Sequence, residues 1–442
     1  MSRPDHRAGR HRDRGATEPA GSGHGHGPVA PSARPVKLLL IAVLVPFALA
    51  TLIGVGLTWP DDEPQRSGAD LGFGQRPAHG EILEVASAPC TSGLSETGGP
   101  ETGGPETGGP ETGGPETGGP ETGGGAECIA LTVRLTDSSS VGTTIRQVLP
   151  DEPSTPRFTV GDEIVLAYNG GDPGDELSYQ VVDFQRGAPM LWLVALFAVA
   201  VLLLGRWKGL ASLVALGFSF LVLVVYLFPA ILGGADPVIA GVLAASVIMF
   251  GVLYLSHGFS AQTSTAVLGT LLSLVLIGVL GTAFAAATRL TGLEADTQNL
   301  IGVLGHGIDT RGLLLAGLII GALGVLDDVT VTQTSAVWEL RRANPDLGAL
   351  ELYRSALRIG RDHISSAVNT LALVYAGAAL PVLLAFSVSG QTFGTLVTAQ
   401  DVAQEVVLTL VGSIGLVAAV PITTAIGALV ALREDIDPAT QR

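Results

Sequence analysis

The chain has 442 residues, 47% of them hydrophobic and only 14% charged, with a mean hydropathy of +0.47. A water-soluble domain carries about a quarter charged residues, so composition speaks against a soluble enzyme and for a membrane protein. The net charge of −16 arises mostly between Asp61 and Asp183; it describes one exposed stretch and not a binding mode, and no nucleic-acid partner is expected.

Residues 1–36 are rich in Arg, His, Gly and Pro and lack apolar periodicity, which predicts a disordered cytoplasmic tail. His6, His11, His24 and His26 lie in it and are expected to be solvated. Residues 37–58 form an apolar run of sufficient length to cross a hydrocarbon core of about 30 Å. It is too long for a signal-peptide core and lacks a clear small-residue cleavage site, so it reads as a retained anchor. Lysine occurs only at Lys37 and Lys208.

Residues 59–188 turn soluble in character and are expected outside the membrane. They hold five successive Pro-Glu-Thr-Gly-Gly units between Pro100 and Gly124, a flexible acidic loop of about 95–125. On either side Glu81–Val85, Ile129–Thr136, Thr143–Leu149, Glu163–Tyr168 and Ser178–Phe184 alternate apolar and polar residues. That pattern predicts a small β-rich domain, barrel or sandwich, with the repeat in one loop. Both cysteines, Cys90 and Cys128, flank the repeat; a disulfide suits an oxidising compartment, and two free thiols are the alternative.

Residues 189–433 hold seven further apolar stretches, near 190–204, 210–228, 237–255, 265–287, 312–335, 364–387 and 404–432. With the anchor they predict a membrane all-α helical bundle of about eight transmembrane helices, followed by a tail at 434–442. Arg206, Lys208, Arg341, Arg342, Arg354, Arg358, Arg361 and Arg433 fall in loops on one side, which places both termini in the cytoplasm of a bacterial cell. Trp338–His363, basic with spaced leucines, reads as an amphipathic surface helix on anionic lipid.

The informative segment is Gly324-Val-Leu-Asp-Asp-Val-Thr-Val-Thr-Gln-Thr-Ser335. About 22 Å of helix separates Gly312 from Asp327, so Asp327 and Asp328 fall in the cytoplasmic leaflet or at its edge. Asp327, Thr330 and Thr334 share one helical face, and Asp328, Thr332 and Ser335 the adjacent one. Carboxylates at that depth need a cavity, a partner or a cation. The competing reading is a helix that has already reached the interface and ends in solvated acids. Gln333, Asn369 in the seventh span and His257 at a helix end complete the candidate ion- or substrate-binding set, with an interhelical hydrogen bond the simpler role for Asn369 and a polar cap for His257. Pro421 interrupts the last span beside Thr423 and Thr424.

A weak internal echo pairs Gly251-Val-Leu253 and Gln262-Thr-Ser264 with Gly324-Val-Leu326 and Gln333-Thr-Ser335. The loop carrying Glu294, Asp296, His306 and Asp309 matches no metal motif and reads as solvated. No cofactor is expected, and no phosphate-binding loop supports ATP hydrolysis.

Through Gly324–Ser335 and Ser256-His-Gly-Phe259 the chain resembles the YibE/F family of bacterial multi-span membrane proteins, over the predicted strands and everything beyond Pro189. The resemblance implies an integral membrane protein suspected of transport and assigns neither substrate nor catalytic residues. The expected function is an ion- or proton-linked transporter or permease, not an enzyme, with the bilayer and a small solute or ion as partners and a homo-oligomer allowed. Two alternatives stand: a membrane protein led by its extracytoplasmic domain as a binder or sensor, and an intramembrane aspartyl protease, which would need carboxylates on two helices.

Overall fold

The computed structural model describes residues 34–60, 75–90, 127–137, 141–293, 308–388, 390 and 392–434. The histidine-rich tail, the Pro-Glu-Thr-Gly-Gly tract and Glu294, Asp296 and His306 lie outside the described residues. Nine helices are described: α1 (Arg34–Leu57), α2 (Gly187–Leu232), α3 (Pro237–His257), α4 (Ala261–Ala287), α5 (Thr310–Ala343), α6 (Ala349–Ala378), α7 (Leu380–Val388), α8 (Phe393–Thr398) and α9 (Gln400–Ala431).

Between α1 and α2 lies one five-stranded antiparallel sheet: β1 (Arg76–Pro89), β2 (Glu127–Leu135), β3 (Thr144–Pro150), β4 (Glu163–Tyr168) and β5 (Tyr179–Phe184), in the order β3-β2-β1-β4-β5. Every predicted strand is present, but the sheet is open, neither a closed barrel nor a sandwich. It curls enough for Gln147 Nε2 of β3 to donate to the Glu176 carbonyl ahead of β5, at 2.7 Å. One face of the pleat is apolar, with Ile82, Leu131, Val133, Ile164 and Leu166 fully buried. The repeat joins β1 to β2, and a Cys90–Cys128 disulfide closes that loop at its base.

Six described helices are long and apolar enough to cross a membrane, or seven if the bent pair α6–α7 counts as one span. The pair bends by 60° where Pro381, without an N–H, cannot continue the ladder of α6. The stretches expected as separate spans at 190–204 and 210–228 belong to one 46-residue α2. Its course breaks at Arg206, whose φ of 51° and ψ of −126° leave the helical region. There the chain folds back: a β-carbon on Gly209 would collide with the Val201 carbonyl, although eight residues of straight helix would separate the two by about 12 Å.

Local chemistry explains the other boundaries. Asp236 caps α3 by accepting from Val238 and Ile239 N–H at 2.9 and 3.0 Å, and Pro237 fits its first turn. Gly258, at φ 73°, stops α3, and Ser260 starts α4 by accepting from Thr263 N–H at 3.0 Å. The first copy of the internal echo therefore straddles a helix break while the second runs unbroken through α5, so the two are not structural repeats. Nor is Trp338–His363 a separate surface helix: α5 runs on to Ala343, and α6 continues from Ala349 into the expected seventh span. Apolar side chains point outward along these helices, as Leu191 (71% exposed) and Leu203 (78%) do, the inverse of a soluble protein and the expected lipid face.

The helices converge at one end, where α1 (Val36, Leu40), α4 (Ala261), α5 (Val337, Trp338), α6 (Leu352, Ala356) and α9 (Ala428, Ala431) share an apolar cluster. Trp338 Nε1 donates to Glu434 there at 2.6 Å. The arginines at 341, 342, 354, 358, 361 and 433 belong to the same end.

Candidate functional site

Asp327 is the eighteenth of the 34 residues of α5, which continues for sixteen more, about 24 Å. The helix does not end at the acids, so the reading in which they mark its solvated terminus falls. The two predicted faces are real. Thr330 and Thr334 are buried, Asp327 is half-buried, and Asp328 and Thr332 are exposed with Ser335 between.

Each polar residue of the buried face makes a different connection. Thr330 Oγ1 lies 2.8 Å from Thr270 Oγ1 of α4, both fully buried. Gln333, 3% exposed, donates from Nε2 to the Ala356 carbonyl of α6 at 2.9 Å and to Thr424 Oγ1 of α9 at 2.7 Å, tying three helices together. Gly360 makes that approach possible, since a β-carbon there would lie 2.5 Å from Gln333 Oε1. Thr334 Oγ1 donates within its own helix to Val331 O at 2.9 Å. Just beyond, Gln262 Nε2 of α4 donates to Ser335 Oγ at 2.8 Å.

Asp327 sits about 60° around α5 from Thr330 and within about 20° of the azimuth of Ala316, three turns away. Ala316 is the residue on which Gly241 of α3 packs: a β-carbon on that glycine would lie 2.9 Å from the Ala316 Cβ. By azimuth the carboxyl leaves α5 between the directions in which Ala316 meets α3 and Thr330 meets α4. Its Oδ1 is buried and meets no hydrogen-bond partner among the described residues. Asp328 leaves the helix about 100° away. It lies within electrostatic reach of His257 at the end of α3, as does Lys208 of α2. Thr332 bonds within its own helix, donating to Asp328 O at 2.7 Å. Asn369 is exposed on α6, more than two turns beyond the Gly360 contact, and does not join the set.

Sequence reasoning left Thr270, Thr263 and Ser273 out of the site. All three are buried on α4 at 263, 270 and 273, a spacing that keeps them on one face. That hydroxyl stripe was the signal available. Thr424 joins the site through Gln333, and the Oγ1 of neighbouring Thr423 is buried with no partner among the described residues.

The fold and site together define a multi-span helical membrane protein with an acid and a line of hydroxyls inside its bundle. A family model described as YibE/F-like protein matches residues 193–433. The chain belongs to that family. The match begins inside α2, so the five strands, expected to share the resemblance, fall outside it. No curated protein and no solved structure matches the chain.

Proposed function

We propose that the chain is an ion- or proton-linked transporter or permease of a bacterial cell membrane, with Asp327 as the group that takes up the ion or proton. The observation carrying this is the buried Oδ1 of Asp327, which has no partner among the described residues, in the middle of an apolar helix. An orphaned buried acceptor costs about 1–3 kcal/mol, and a proton or a small cation on the carboxyl relieves that cost. The Thr270–Thr330 hydroxyl pair one turn away offers further oxygens.

The fold-back at Arg206 supports counting α2 as two spans, which with the bent α6–α7 pair gives eight. The arginines gathered where α1 begins and α9 ends support cytoplasmic termini. Neighbouring acids on one helix point apart, which favours ion binding over a protease dyad in which Asp327 and Asp328 share a proton.

Protein reconstituted in vesicles with pH- and cation-sensitive dyes tests the proposal. Asp327→Asn is expected to cut flux at least tenfold while Asp328→Asn retains most of it. Wild-type flux of every ion tried in the double variant, or no flux in wild type, ends the proposal.

A further inference from the structure

Helix α1 is fastened to the bundle at its two ends. At the basic end Val36 and Leu40 are buried in the shared apolar cluster. At the other end Gly54 packs on Leu243 of α3, Thr58 Oγ1 lies 2.7 Å from the Tyr226 hydroxyl, and Trp59 stacks on Tyr226 at 6.1 Å. Between these fastenings Leu44 is buried in the core and Phe47 packs on Phe250 of α3 at 5.9 Å, and beside these contacts α1 and the bundle leave an open-sided chamber of about 690 Å³. That volume falls in the range of about 300–1,000 Å³ usual for small-ligand sites.

The chamber is amphipathic along its length. Leu44, Ala48, Phe218, Val247 and Phe250 make its walls apolar, and Lys37 is the one charged residue lining it. Lys37 is exposed and forms no ion pair among the described residues. Beside it at the basic end are the hydroxyls of Ser260, which caps α4, and of Tyr254 and Ser264, which lie 3.1 Å apart. A dry apolar chamber open to a bilayer is filled by hydrocarbon, and an unpaired ammonium at the headgroup level attracts an anion.

We propose that this chamber holds an acyl chain of one anionic membrane phospholipid whose headgroup phosphate rests on Lys37. The lipid then forms part of the packing between α1 and the bundle, and charge decides which lipid is retained. This site is separate from Asp327 and stands or falls without it.

Native mass spectrometry of the full chain, delipidated and then exposed to equimolar phosphatidylglycerol and phosphatidylcholine, is the test. Wild type is expected to keep one phosphatidylglycerol in preference to phosphatidylcholine by about fivefold, the discrimination one basic residue gives at an anionic surface. Lys37→Gln removes the preference without removing lipid, and Ala48→Trp, which fills the chamber, removes the retained lipid of either kind. Equal retention of both lipids by wild type, an unchanged preference in Lys37→Gln, undiminished retention in a monodisperse Ala48→Trp, or a second copy of the chain in place of lipid each overturns the proposal. Should Ala48→Trp fail to fold, the surface variant Lys37→Gln still decides it.

Discussion

Gln333 offers the sharpest test of how the bundle is held. Replacing it with leucine keeps nearly the same volume and deletes two hydrogen bonds, to Ala356 O at 2.9 Å and Thr424 Oγ1 at 2.7 Å. Neither partner is left with nothing: Thr424 still donates to Val420 O at 2.6 Å, and Ala356 keeps its place in the helical ladder of α6. The loss is therefore set by two ordinary buried bonds, about 0.6–1 kcal/mol each within a membrane, or about 1–2 kcal/mol in total. Gln333→Ala adds a cavity and is expected to cost about 2–4 kcal/mol. Reversible unfolding in mixed detergent micelles, followed by circular dichroism, measures both. A double-mutant cycle of Gln333→Leu with Thr424→Val should return a coupling of about 0.6–1 kcal/mol. Gly360→Ala, which sets a β-carbon 2.5 Å from both Gln333 Oε1 and Val420 Cγ1, should cost about 1–3 kcal/mol, and only the part due to Gln333 should be relieved in the Gln333→Ala background. Gln333→Leu as stable as wild type, with no coupling to Thr424, refutes the three-helix tie.

Opening the disulfide by Cys128→Ser frees a loop of 38 residues, worth about 4 kcal/mol of chain entropy, so the sheet should melt well below the bundle in a calorimetric scan. Acid should loosen the sheet through Asp137. Burial works to raise its pKa, but hydrogen bonds from the His79 ring and the His79 backbone N–H, with the charge of that ring, hold it below the ordinary 3.8. A depressed carboxyl stabilises the fold at and above its unfolded value and loses that contribution as pH falls through its lowered one. Melting temperatures measured from pH 7 down to 3 should therefore decline at the acid end, and less steeply in Asp137→Asn; identical slopes refute the assignment.

The strands were legible because one buried face imposes alternation, as at Leu131, Val133 and Leu135 of β2. Strand β1 was seen only in part, at Glu81–Val85. Its first half, Arg76-Pro-Ala-His-Gly80, hides the alternation behind a proline and a glycine that the sheet needs, since a β-carbon on Gly80 would strike Val133. Closure into a barrel or sandwich was not legible, because it depends on which strands stand at the edges. The break in α2 shows the reverse limit. Hydropathy located both arms but not their continuity, because the fold-back at Arg206 depends on a backbone conformation and on the bare Gly209 beside Val201. In the site, the two faces of α5 followed from helical period alone, whereas the partners of Gln333 and Thr330 lie 91 and 60 residues away and no local pattern points to them.

The geometry of one helix sorts two chemically identical neighbours. Asp328 faces outward on the side of His257, where water or headgroups can reach it. Asp327, a single residue earlier, is turned toward the bundle, where nothing among the described residues satisfies Oδ1. A pair that merely marked a membrane boundary would need no such division, since both acids would be hydrated alike. The division suits one acid that binds and releases something beside a neighbour that stays exposed. On that reasoning Asp327→Glu should keep function only where the bundle tolerates the extra methylene, whereas Asp328→Glu should be nearly silent.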